Sequence, residues 1–189
     1  RLRPACGRAV GRTAGDAVLV LGAGVQGLVV TAALARRGCA VTACDPHPER
    51  RALARAFGAL RALDAPRDPA GRAAVAAALP GGADVVVAAH AGADTIAQAL
   101  DLVARGGEVN VHGGPEAEVR PPLPAARLHY DEITVQASYH HTPHTVRAAL
   151  WLIAEGGLPF ARLLGEEIAL EGVAAALARP GPKRPVRPA

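Results

Sequence analysis

Apolar positions along this chain switch repeatedly between two spacings, and the switching predicts a layered fold. Solid apolar runs near 17–21, 40–44, 60–63, 83–88, 108–112 and 132–138 read as strands. Stretches with the helical repeat near 25–37, 48–57, 70–79, 94–105 and 142–155 read as helices, each opening soon after Gly, Pro or Asp. Strands that are apolar throughout, rather than at every second position, belong to a parallel sheet covered on both faces. Right-handed crossovers then dictate an α/β, doubly wound, six-stranded parallel sheet with helices on both faces.

The segments between and beyond these elements are weaker in pattern. Residues 5–12 form a short Arg-rich helical stretch before a turn at Gly15 and Asp16. Residues 115–128 are Pro-rich without a helical repeat and are expected to cross the sheet as a loop. Past Gly156 come a strand-like segment at 166–170, a small Ala-rich helix at 171–178 and a Pro-rich basic tail. The expected organisation is a nucleotide-binding domain over 1–156 and a short C-terminal extension over 157–189.

Half of the 189 residues are apolar and a fifth are charged, a composition that folds. The uncharged run 17–35 is long enough for a membrane span, but glycines at 22, 24 and 27 break it into strand, turn and helix, so no membrane segment is expected. The formal charge of +4 is a property of the tail: Arg179, Lys183, Arg184 and Arg187 carry it, and the rest of the chain balances. That distribution leaves no basic face for nucleic acid. Cys6, Cys39 and Cys44 make neither an even disulfide set nor a CxxC pair, which points to a reducing, cytoplasmic setting. The chain starts at Arg1 and holds no Met, so it reads as a fragment or a processed piece.

Chemistry concentrates at Gly22-Ala23-Gly24-Val25-Gln26-Gly27, a GxGxxG placed between the first strand and the first helix. Gly22 permits the tight turn, Gly24 lets backbone approach a diphosphate, and Gly27 lets helix and strand pack closely. The unpaired amides and partial positive charge of the helix start face the phosphates. Eighteen residues past Gly27, at the end of the second strand, Asp45 is placed to accept the adenosine ribose hydroxyls, which favours NAD over NADP. Asp45 can also cap the helix that follows, and the two roles are compatible. Arg50, one helical turn on, can lean over the adenosine.

Five segments together resemble the medium-chain dehydrogenases of the zinc-dependent alcohol and polyol (sorbitol-like) type. They are GDAVLVLGAGVQGLVV at 15–30, CDPHPERRALARAFGA at 44–59, ADVVVAAHAG at 83–92, ARGGEVNVHGG at 104–114 and LHYDEITVQASYHHTP at 128–143. The resemblance implies a Rossmann-like coenzyme domain in which Gly22, Gly24, Val25, Gln26 and Gly27 line the diphosphate and Asp45 and Arg50 hold the ribose. By the same resemblance His90, Val111, Gly113, Ser138 and His140 border the nicotinamide. The family's catalytic zinc, most of its ligands and its proton relay belong to an N-terminal GroES-like domain that this stretch does not contain, so zinc is expected only there. Cys6, sixteen residues before Gly22, is too close to serve as the family's junction ligand. Ala137 stands where the family usually has Gly, and His90 and His112 where it has small or hydroxyl residues. The family also implies a homo-oligomer joined through the sixth strand.

Other readings of these residues are narrower. His140, His141 and His144 form an HHxxH, but Pro143 interrupts the backbone and no acidic ligand adjoins, so no metal site is assigned. His129 reads as a loop residue, and His47 as solvated. Glu166 and Glu167, neighbours on a strand, point to opposite faces. No GxSxG, GxxxxGK[ST] or HExxH occurs, which excludes those hydrolase, NTPase and protease classes. The expected function is hydride transfer between a small secondary alcohol, polyol or cyclitol-like, and NAD, with no catalytic residue assignable in this stretch. The alternatives are a zinc-free NADPH-dependent quinone or enoyl reductase and a non-catalytic nucleotide-binding module.

Overall fold

The computed structural model describes residues 14–90, 92–137, 139–178 and 185–187. The helical stretch expected at 5–12, Cys6, Ser138 and most of the basic tail lie outside the described residues. The chain divides into two compact units, the first ending at His141 and the second beginning at Thr142.

The first unit alternates strand and helix: β1 (Ala17–Leu21), α1 (Val25–Arg36), β2 (Ala40–Cys44), α2 (Pro48–Ala56), β3 (Arg61–Leu63), α3 (Pro69–Ala78), β4 (Ala83–Ala88), α4 (Ala93–Leu102), β5 (Val103–Val111), α5 (Ala125–Tyr130) and β6 (Thr134–Ala137). The six strands form one sheet in the order β3-β2-β1-β4-β5-β6, every pairing parallel. β1 therefore lies between β2 and β4, and the order of winding reverses there. Such a reversal opens a crevice at the carboxyl ends of the strands.

Burial on both sheet faces explains why the inner strands β1, β2 and β4 are almost wholly apolar. Leu19, Leu21, Val86 and Val109 pack with Val75, Ile96 and Leu100 of α3 and α4. Their sequence neighbours Val18, Val20, Val85 and Val87 pack on the opposite face with Val41 and Leu34 of α1. Each such side chain, fully withdrawn from water, contributes roughly 1.5–3 kcal/mol before the entropy of ordering is set against it. Helix ends follow local chemistry. Asp68 accepts the Gly71 amide at 2.7 Å ahead of Pro69 to start α3, and Gly38 and Gly58, at φ +80° and +96°, let the chain leave α1 and α2.

Four local expectations are corrected. α4 stops at Leu102 instead of continuing to 105, because Val103 turns extended and pairs with Ala83. β5 accordingly begins at Val103, before the expected 108, and its register shifts between Ala83 and Val85, with 104–107 as the extra length. Residues 115–128 are not all loop: past Pro124 the run AARLHY has neither Gly nor Pro and forms α5, which carries His129. The strand expected over 166–170 contracts to Ile168–Ala169.

The second unit holds α6 (Pro143–Ala154), 3-10 turns at Phe160–Leu163 and Leu170–Gly172, β7 (Ile168–Ala169), α7 (Val173–Leu177) and β8 (Val186–Arg187), with β7 and β8 parallel. Thr142 and Thr145 form a capping box at the start of α6. Glu167 flanks β7 and meets Arg187 at 2.7 Å. No described helix is long and apolar enough to cross a membrane.

Candidate nucleotide site

The site is built on the carboxyl ends of β2, β1, β4 and β5, which backbone hydrogen bonds tie together in a row. The Gly22 amide donates to the Cys44 carbonyl at 2.8 Å, that of Ala89 to Leu21 at 3.0 Å, and those of His112 and Gly113 to Ala88 at 3.0 and 2.9 Å. These bonds hold the loops above the strand ends at fixed heights around the reversal point.

Within this frame the three motif glycines have separable reasons. Gly22 has φ +101°, where a side chain is strained. A Cβ on Gly27 would lie 1.9 Å from the Gly22 carbonyl oxygen, so α1 can start this close to β1 only with hydrogen there. Gly24 differs from both. Nothing lies within 4 Å of a Cβ placed on it, its φ of −70° suits any residue, and it is the N-cap of α1 with no side chain capping the helix. Open space in front of an uncapped helix start is a cradle for an anion, with the Val25 and Gln26 amides turned toward it. These features fit a diphosphate.

Asp45 stands where β2 ends and is 2% exposed. Its Oδ2 accepts the Ala23 amide at 2.8 Å and its Oδ1 accepts the His47 amide at 2.9 Å, the latter closing the turn into α2. The Arg50 guanidinium lies 3.7 Å from Oδ2 with its side chain 48% exposed. Arg51 is committed elsewhere: its Nη1 donates to the Asp45 and Pro46 carbonyls at 2.9 Å each and lies 3.6 Å from Asp64. His47 is half-exposed, with Nδ1 3.6 Å from Glu49. Cys44 is buried beneath this turn, and burial, reinforced by the Asp64 and Asp45 charges against the opposing Arg51, pushes its thiol up to about 12.

On the far side of the reversal, His90 follows β4 and its Cβ would touch a Cβ placed on Gly22 at 3.5 Å. Val111 ends β5 beside Ala88, and Gly113 is buried. His112 between them is half-buried, and burial lowers its pKa from 6.5. His140 lies past β6, one strand further out, at φ +67° with its ring 3.9 Å from that of Tyr139. The glycines, Val25, Gln26, Asp45, Arg50 and His90 thus gather around the end of β1, with Val111 and Gly113 alongside. The pattern reading missed Ala23 and Arg51, whose contacts run through backbone groups and leave no mark in residue type. Among the described residues no three His, Cys, Asp or Glu side chains converge on a possible metal position.

Comparison with known proteins places the fold. The family model described as zinc-binding dehydrogenase matches residues 24–155. A Mycobacterium tuberculosis protein named as a probable alcohol dehydrogenase is 38% identical over 168 residues, covering 84% of this chain and 44% of its own length. Among solved structures, a Sinorhizobium meliloti protein described as a zinc-binding dehydrogenase and bound to NADP has a TM-score of 0.83 at 26% identity, covering 94% of this chain and 54% of that one. The 2R,3R-butanediol dehydrogenase of Bacillus subtilis has a TM-score of 0.79 at 26% identity, covering 95% and 52%. The chain spans about half the length of these relatives.

Proposed function

The chain belongs to the zinc-binding dehydrogenase family, and on that premise we propose that it is the NAD-binding half of an oxidoreductase acting on a secondary alcohol of polyol or cyclitol type. The observation that carries the reading is the uncapped start of α1, held open at Gly24 and fixed at the strand reversal. The amides of Val25 and Gln26 bind the diphosphate, with Gly22 and Gly27 keeping the loop low enough for it to enter. Asp45 and Arg50 take the adenosine ribose. His90, Val111, Gly113, Ser138 and His140 border the nicotinamide and exclude water from one of its faces. The dinucleotide supplies the hydride chemistry when bound, and this chain orients it. No acid, base or metal ligand for the alcohol is assigned to these residues, so zinc and substrate are assigned to the remainder of the longer protein.

A second reading has its own support. The exposed guanidinium of Arg50 suits a 2′-phosphate, and the S. meliloti relative carries NADP. Titration of the chain with NADH and NADPH by nicotinamide fluorescence separates the two. Tighter binding of NADH is the expected result, tighter binding of NADPH selects the second reading, and binding of neither removes both.

We also place a homo-oligomer contact on β6, whose outer edge has no strand partner among the described residues. Cys39 and Cys44 are buried and not joined in a disulfide, consistent with a reducing, cytoplasmic location.

A further inference from the structure

Asp45 is more deeply committed inside the protein than a sugar-binding carboxylate needs to be. Both of its oxygens already accept backbone amides, from Ala23 at 2.8 Å and His47 at 2.9 Å, and the residue is 2% exposed. The neighbouring amide, Gly22, is fastened to Cys44. Two successive loop residues are therefore fixed to two successive residues at the end of β2. The next residue along is Gly24, the N-cap in front of which the cradle opens.

We propose that Asp45 is a positioning residue for the phosphates: a carboxylate staple that sets where the Gly22–Gly27 loop stands, and so where the helix-start amides point. This rests on the reading of that loop as the nucleotide site. A charged acceptor holding a buried amide makes one of the stronger hydrogen bonds available to a protein. Whatever Asp45 offers a ribose comes from lone pairs left over after the two amides are served. Asparagine cannot replace it, because its NH2 must face one of two N–H donors.

A ligand series tests the idea, with D45N compared with the unsubstituted full chain by calorimetry or NMR titration. The probes are ADP, 2′,3′-dideoxy-ADP, which lacks the hydroxyls Asp45 could bind, and 2′,3′-dideoxyadenosine, which also lacks phosphate. The expected result is that D45N weakens dideoxy-ADP by about tenfold, the effect of one lost charge-assisted bond, and leaves dideoxyadenosine within about twofold. A loss confined to ADP would restrict Asp45 to the sugar and overturn the proposal. An equal loss with dideoxyadenosine would mean general damage and overturn it too. If the unsubstituted chain binds no ADP, the nucleotide reading itself falls, before any variant is considered.

Should D45N fail to fold, amide exchange in the unsubstituted chain decides. The Ala23 amide is expected to exchange far more slowly than those of Val25 and Gln26 in the first turn of α1, and equal rates would overturn the staple.

Discussion

Gly24 and Gly27 stand three residues apart in one motif and should fail in opposite ways when changed to alanine. At Gly27 the new methyl meets the Gly22 carbonyl at 1.9 Å, so G27A should lose roughly 1–3 kcal/mol of stability or more. At Gly24 the methyl meets nothing, so G24A should stay within about 1 kcal/mol of the original stability yet bind nucleotide markedly less well. Denaturant melts and NADH titration on the two variants check this together. Burial holds the His112 imidazole below 6.5, so the unfolded chain takes up a proton near 6.5 that the folded chain refuses. This contribution to stability is complete above 6.5 and is lost as pH falls from there toward the folded-state pKa. Thermal melts between about pH 7.5 and 5.5 should show a decline that H112Q makes shallower. At this scale the glycines and Asp45 were legible, because their residue types are the constraint. The Ala23 contact was not, since any residue can donate a backbone amide.

Arg127 of α5 shows what a single element can add to its neighbours. Its Nη2 donates to the Val103 carbonyl at 2.7 Å, its Nη1 donates to the Leu100 carbonyl, and its Nε lies 3.3 Å from Asp131 Oδ2. It thereby serves the carbonyls left over where α4 gives way to β5 without a loop. R127A should destabilise the chain by about 1–3 kcal/mol, through acceptors stranded in a half-buried site, and R127K should recover only part because it cannot fork. Chemical denaturation of the three proteins measures both. This junction is also where the pattern misled. The apolar spacing from Ile96 to Val103 is helical to its end, and only pairing with Ala83, which lies outside the local sequence, turns Val103 into strand. β1, β2 and β4 were legible residue for residue because burial on both faces leaves runs that are apolar but for Thr42 and Asp84, set between turn-forming residues.

At the scale of the molecule, the doubly wound parallel sheet followed from alternation and crossover handedness, whereas the strand order and the division at His141 and Thr142 reflect contacts that no linear pattern carries. The sixth strand has the only partner-free flank on its side of the sheet among the described residues, with Val135 41% exposed. Light scattering on the full chain should report a dimer or larger assembly, and V135K should shift it toward the monomer with its melting temperature little changed; a monomeric starting chain would remove the β6 contact.

The position of β1 between β2 and β4 has a consequence in time. Its first residue, Ala17, donates to Asp84, 67 positions away, at 2.8 Å, so the crevice has only one wall until that long segment has been drawn in. Closing such a span is slow, and the wall that carries His90, Val111 and Gly113, proposed here to border the nicotinamide, is missing on the way up. Added NADH should therefore slow escape from the finished fold more than ADP does, since only NADH reaches that late-formed wall.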